Sequence, residues 1–159
     1  MCRRLFLLAI VPFVFAACGG GSDVVTNIPA AIALESQAFS SGLGVNLAAS
    51  TKTADGLYYR DVTVGTGSVI TANHTIDVYY TGNLPDGTLF DSRTSGVPFS
   101  FILGQGYVIK GWDEGIVGMR VGGVRQLIVP AALGYGTFGS GPIPPNANLV
   151  FTVTVLGTT

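Results

Sequence analysis

Apolar and polar positions along the chain change period from segment to segment, and each period predicts an element. From Thr75 to Thr81 they alternate, with Ile76, Val78 and Tyr80 on one face and Asp77, Tyr79 and Thr81 on the other, the period-two pattern of a half-buried strand. That register points Tyr80 inward. At the end of the chain Leu149, Phe151, Val153 and Val155 face one way and Val150, Thr152 and Thr154 the other. The stretch lacks the charge or proline that edge strands carry, so it is expected to be central. Leu57 to Val64 is rich in strand formers and stops at Gly65-Thr66-Gly67; Val124 to Val129 is a further strand ended by Pro130. Between them, Leu84 to Phe90 contains Pro85-Asp86-Gly87. Proline presets φ and glycine tolerates positive φ, so two strands should fold back on each other here. One stretch breaks the strand rhythm. In Gly104 to Gly118, Ile109, Trp112 and Ile116 follow at i, i+3, i+7, which places three apolar side chains on one helical face. The expectation is an α+β domain in which an antiparallel sheet surrounds one short helix.

Upstream of these elements the pattern is of another kind. Arg3 and Arg4 precede an unbroken apolar run, Leu5 to Ala17, the charged and hydrophobic regions of an export signal too short for a comfortable membrane span. The run ends Phe15-Ala16-Ala17-Cys18, which resembles the processing site of bacterial lipoproteins, where the cysteine is lipidated and becomes the new N-terminus. Gly19-Gly20-Gly21-Ser22-Asp23 then has tether composition. Residues 1–17 are thus expected to be a signal peptide and Cys18 the lipidation site, with an ordinary secretory signal as the alternative. The resemblance implies a protein exported to the cell envelope and held to its membrane by lipid. Gly19, rather than aspartate, after the cysteine makes an outer-membrane anchor the default where two membranes exist. Residues 18–50 then form tether and connector. Ala30 to Phe39 has the composition for two to three helical turns, although Ile32, Ala33 and Leu34 give no clean stripe. A domain is expected over 51–159.

Composition narrows the chemistry. Of 159 residues 48% are hydrophobic and 11% charged, enough apolar matter for one core. The net charge is −1, and without residues 1–17 six basic side chains face nine acidic ones, which argues against a nucleic-acid partner. Both cysteines, Cys2 and Cys18, lie in the N-terminal segment, so the domain holds no internal disulfide and no thiolate metal site. Its one histidine, His74, falls in the polar turn Thr71-Ala72-Asn73-His74 and reads as solvated. Asp113 and Glu114 read as the solvent side of the helix. No acids stand in a metal-ligand rhythm, so no metal or cofactor is expected.

What remains is aromatic side chains beside glycines. Val78-Tyr79-Tyr80-Thr81-Gly82, Asp86-Gly87, Phe90-Asp91-Ser92, Pro98-Phe99, Val108-Ile109-Lys110-Gly111-Trp112-Asp113-Glu114-Gly115, Ala132-Leu133-Gly134-Tyr135-Gly136, Ile143-Pro144-Pro145-Asn146 and Leu149-Val150-Phe151 follow in order. Together they resemble the FKBP-type peptidyl-prolyl cis-trans isomerases, over about the last hundred residues. The resemblance implies an antiparallel sheet of about five strands bent around one short helix. It implies a pocket lined by Tyr80, Phe90, Asp91, Phe99, Val108, Ile109, Trp112, Tyr135, Ile143 and Phe151. Of these, Tyr80, Asp91 and Tyr135 would act on the substrate amide and the other seven would bind it. Implied partners are proline-containing polypeptides and macrolides of the FK506 or rapamycin type, with no cofactor. The loop Thr137 to Pro142 is shorter and more glycine-rich than the family's usual one. A non-catalytic module that holds proline-containing segments as a chaperone is the alternative function. For each residue taken singly, a packing role is an equally good account.

Overall fold

The structure, a computed structural model, describes residues 28–159. The expectations for the signal peptide, Cys18 and the glycine tether lie outside the described residues. Seven strands form one antiparallel sheet: β1 (Thr51–Lys52), β2 (Tyr58–Thr63), β3 (Thr75–Asn83), β4 (Leu89–Arg93), β5 (Phe99–Ile102), β6 (Val124–Val129) and β7 (Leu149–Thr158). The order is β1-β2-β6-β7-β3-β4, and β5 pairs with the first half of β3. The expected sheet around a helix is present, with two more strands than the expected five. The additional ones, β1 and β5, have two and four residues, too few for alternation to declare them. β7 is central, between β6 and β3, as its uncharged alternation predicts. The turn at Pro85-Asp86-Gly87 joins β3 to β4; Gly87 sits at φ 96 and the Asp86 carboxylate accepts from the Thr88 N–H at 2.8 Å.

One helix, α1 (Lys110–Gly115), crosses the concave face. Trp112 and Ile116 are buried there with Leu57, Ile70, Ile76, Val78, Leu127, Phe151, Val153 and Val155. Leu149, Phe151, Val153 and Val155 of β7 thus all face the core that the helix covers, as the alternation requires. The helix lies close because its two buried glycines permit it. A methyl group on Gly111 would come within 2.6 Å of Val129, and one on Gly115 within 2.7 Å of Leu127. The C-terminal end of the helix is held by Arg125 of β6, whose guanidinium donates to the Gly115 and Val117 carbonyls at 2.9 and 3.3 Å. The same group makes a two-point ion pair with Asp61 of β2, at 2.7 and 2.9 Å, and lies over the Tyr59 ring.

The opposite face of the sheet is covered by residues 28–50. The helix expected over Ala30–Phe39 is absent: one 3₁₀ turn, Leu34–Ser36, stands between extended residues. Without an apolar stripe a helix there would bury little, whereas a single turn buries Leu34 against Tyr58, Ile128 and Val150. Carbonyls of this segment also take partners elsewhere in the fold. Asn148 donates to the Ile32 carbonyl, Asn146 to that of Pro29, Gln126 to that of Leu43 and Arg60 to that of Gly44. The Glu35 carboxylate accepts from Lys52 at 2.5 Å and from the Tyr58 hydroxyl at 2.6 Å. From Leu34 to Leu47 the connector is therefore a second packed layer.

Candidate functional site

At the end of the sheet where α1 begins, five elements converge on a cavity of about 340 Å³. Its floor is the Trp112 indole, only 4% exposed. β3 supplies Tyr80, β4 Phe90 and Asp91, β5 Phe99, and β7 Phe151; the approach to α1 supplies Tyr107, Val108 and Ile109, and the turn after β6 supplies Tyr135. The rings pack edge to face around the floor. Tyr80 and Phe151 meet the indole at centroid distances of 5.0 and 5.3 Å and interplanar angles of 82° and 84°, and Phe99 stands at 6.2 Å. Such pairs fix ring orientation as well as burying area.

The local backbone explains how the sequence aims these groups. Opposite β3, Gly82 pairs with Asp91 and Asn83 with Leu89, so Phe90 is the extra residue of a bulge. A bulge re-aims a side chain, and Phe90 turns edge-on to Phe151 at 5.6 Å across the bare backbone of Gly82. Tyr80 pairs with Arg93, which puts Asp91 on the diagonal of the same face. The Tyr80 hydroxyl reaches it and donates to Oδ2 at 2.6 Å. Burial, followed by that bond to Asp91, pushes the Tyr80 phenol up to about 12. Burial and then the nearby Asp91 charge also raise the Tyr135 phenol. Both hydroxyls therefore stay protonated donors through neutral pH.

Nine of the ten expected residues line this cavity. Ile143 does not. Its backbone pairs with Ser140 in a tight loop, and its side chain is buried in the main core. Tyr107, an unexpected member, stands 70% exposed at the rim. Its place beside a glycine, Gly106-Tyr107, is the signal in the sequence that could have found it. Asp113 is also more than a solvent-facing helix residue. Its two carboxylate oxygens accept from the Gly104 and Gly106 N–H groups at 2.8 and 3.0 Å, which pins the loop that presents Tyr107, Val108 and Ile109. Among the described residues the Ile109 N–H has no hydrogen-bond partner, while the Ile109 carbonyl starts the helix by accepting from Trp112 and Asp113. His74 lies away from the cavity, exposed, with its Nδ1 at 3.1 Å from the Thr71 hydroxyl oxygen.

Chemically this is an apolar enclosure with one carboxylate, three phenols and a free amide at its mouth. No lining side chain is a nucleophile held by a base. It suits recognition of a compact apolar ring flanked by carbonyl groups, with water kept from the floor.

Comparison with known proteins agrees with this geometry. The profile of the FKBP-type peptidyl-prolyl cis-trans isomerase family matches residues 66–156. FK506-binding protein 4 of Rhizopus delemar is 49% identical over 107 residues, which is 67% of this chain and 28% of that protein. The chain spans only 22 to 28% of the length of such curated fungal relatives. The crystal structure of FkpA from Escherichia coli superimposes with a TM-score of 0.64 at 39% identity, covering 70% of this chain and 52% of that one. A peptidyl-prolyl cis-trans isomerase structure from Pseudomonas syringae gives 0.64 at 33% identity, covering 75% and 86%.

Proposed function

The chain belongs to the FKBP-type peptidyl-prolyl cis-trans isomerase family, and from that premise we propose that it catalyses rotation of X–Pro bonds in exported polypeptides. The observation that carries this is the Trp112 cavity, with its aromatic walls and the Tyr80–Asp91 pair at its mouth. Twisting an amide costs roughly 18–20 kcal/mol because resonance is lost, so prolyl bonds exchange over roughly tens to hundreds of seconds and delay folding. No bond is made or broken, and no nucleophile is needed. Catalysis requires only that the twisted amide bind better than either planar form.

In this reading the proline ring stacks on Trp112 between Tyr80, Phe99, Val108, Ile109 and Phe151. Enclosure withdraws the water that favours the more polar planar amide. The free Ile109 N–H and the Tyr135 hydroxyl donate to the flanking carbonyls and hold the chain while the amide turns. Asp91, oriented by Tyr80, faces the carbonyl carbon as conjugation is lost. It acts as a fixed charge, with no general acid or base. Macrolides of the FK506 or rapamycin type would compete for the same cavity.

The test is cis-to-trans relaxation of a short Leu-Pro peptide with the purified chain, beside Tyr80→Ala. Acceleration that falls in the variant supports catalysis in this cavity. A folded protein that gives no acceleration would overturn the enzymatic reading in favour of a proline-holding chaperone module.

The place of action is proposed from the N-terminal pattern: export, lipidation at Cys18 and residence at the cell-envelope membrane. Mass spectrometry of the protein from membranes of its cell checks this. A mature N-terminus at Cys18 carrying acyl mass supports it, and a Cys18→Ser variant that stays equally membrane-bound refutes it.

A further inference from the structure

β5 is a sheet edge. It pairs with β3 from Phe99–Val78 to Thr75–Ile102, and no other strand among the described residues lies against it. Along this edge runs a second cavity of about 380 Å³, lined by Thr75, Phe99, Ser100, Phe101, Ile102 and Tyr107. Phe99 and Tyr107 also line the Trp112 cavity, so the two adjoin at that pair. None of the six lining residues is charged. Of its three side-chain hydroxyls, on Thr75, Ser100 and Tyr107, that of Ser100 is already committed to the Asp77 carboxylate. Ile102 and Tyr107 stand 38% and 70% exposed here. The groove thus offers apolar contact and an unpaired strand edge, with no charge.

We propose that this groove is a second subsite for the polypeptide that carries the proline, taking an apolar side chain two to four residues away from it. The inference rests on the reading of the Trp112 cavity as the prolyl site. Its occupant follows from adjacency: a chain leaving the prolyl cavity past Phe99 and Tyr107 meets this groove next. The length also matches, since Phe99 to Ile102 spans three residue steps, roughly 10 Å, and an extended polypeptide covers that in three steps of its own. Strand edges accept extended peptides, and alternate side chains then face one groove. Sequence preference around the proline would accordingly include an apolar residue at a distance, beyond the residue next to it.

The experiment compares the full chain on a four-residue proline peptide and on eight-residue peptides with leucine or serine two, three or four positions from the proline, on either side. For at least one placement, leucine should raise kcat/KM about fivefold over serine, mainly through KM, as partial burial of one leucine allows. Ile102→Thr, which keeps the β-branch of an exposed strand residue, and Ile102→Lys should lose that gain while the four-residue peptide is turned over as by wild type. Equal rates for every leucine and serine pair would overturn the subsite and leave the prolyl reading standing. A leucine gain that survives both variants would overturn its location. Should even the four-residue peptide show no turnover, calorimetric affinities of the same peptides decide. A leucine preference lost in Ile102→Lys supports the subsite, and its absence overturns it.

Discussion

Replacing Tyr80 by phenylalanine separates the packing of the cavity from its electrostatics. The ring stays, and with it the edge-to-face contacts to Trp112 at 5.0 Å and Phe99 at 6.0 Å. What goes is the hydroxyl that donates to Asp91 Oδ2 at 2.6 Å. Hydrogen bonds to charged groups contribute about 1.5–3 kcal/mol, and this pair sits at an open mouth, so the low end, about 1.5 kcal/mol, applies. If the bond serves to aim the carboxylate at the turning amide, most of that energy appears in the transition state. At 1.36 kcal/mol per decade, Tyr80→Phe should then lower kcat/KM about tenfold. Asp91→Asn should lower it by a similar factor, and the double variant should be little worse than either single one, because the two residues act as a unit. Melting temperature should hardly move, since the bond is exposed. The assay is cis-to-trans relaxation of a four-residue proline peptide, with a thermal melt for each variant. Full activity in Tyr80→Phe, or two losses that simply multiply in the double variant, would refute the pairing argument and leave desolvation as the sole source of catalysis.

Other perturbations follow from single contacts. Asp61→Asn leaves the nearly buried Arg125 guanidinium without its counter-charge beside the helix end; the expected loss is about 2–3 kcal/mol in urea unfolding, and a change below about 0.5 kcal/mol would show that the pair contributes nothing net. Gly82→Ala would put a methyl within 2.7 Å of Phe90 and 2.8 Å of Phe151, so those rings must move, costing about 1–3 kcal/mol and raising KM for peptide; unchanged KM would argue that the Phe90 wall is not used. Lys52 first, and then Tyr58, hold Glu35 at about 2, below its ordinary 4.5. A depressed carboxylate stabilises the fold above the unfolded value and loses that contribution as pH falls through the folded one. The gap in melting temperature between wild type and Glu35→Gln should therefore close from pH 5 to pH 2, and a gap constant over that range would refute the clamp.

The alternation of β3 and β7, the turn at Pro85-Asp86-Gly87 and the apolar face through Trp112 were legible in the sequence because each is a local period read over a few residues. The inward aim of Tyr80 and the central place of β7 followed from the same patterns. Nine cavity residues were legible through their resemblance to a family, since spacing alone cannot say that residues seventy positions apart meet. Other features belong to the tertiary structure. The second face of the sheet draws residues 28–50 into three short 3₁₀ turns and extended chain, because burial of Leu34 and bonds to Asn146, Asn148 and Gln126 outweigh a helix with no stripe to bury. Pairing in a tight loop sends Ile143 into the core, and the Gly104 and Gly106 amides give Asp113 its task. The edge of β5 exists only because β4 takes the other half of β3. Local periodicity determines which face of an element is apolar; what that face meets depends on contacts distant in the chain, and only the folded sheet brings those together.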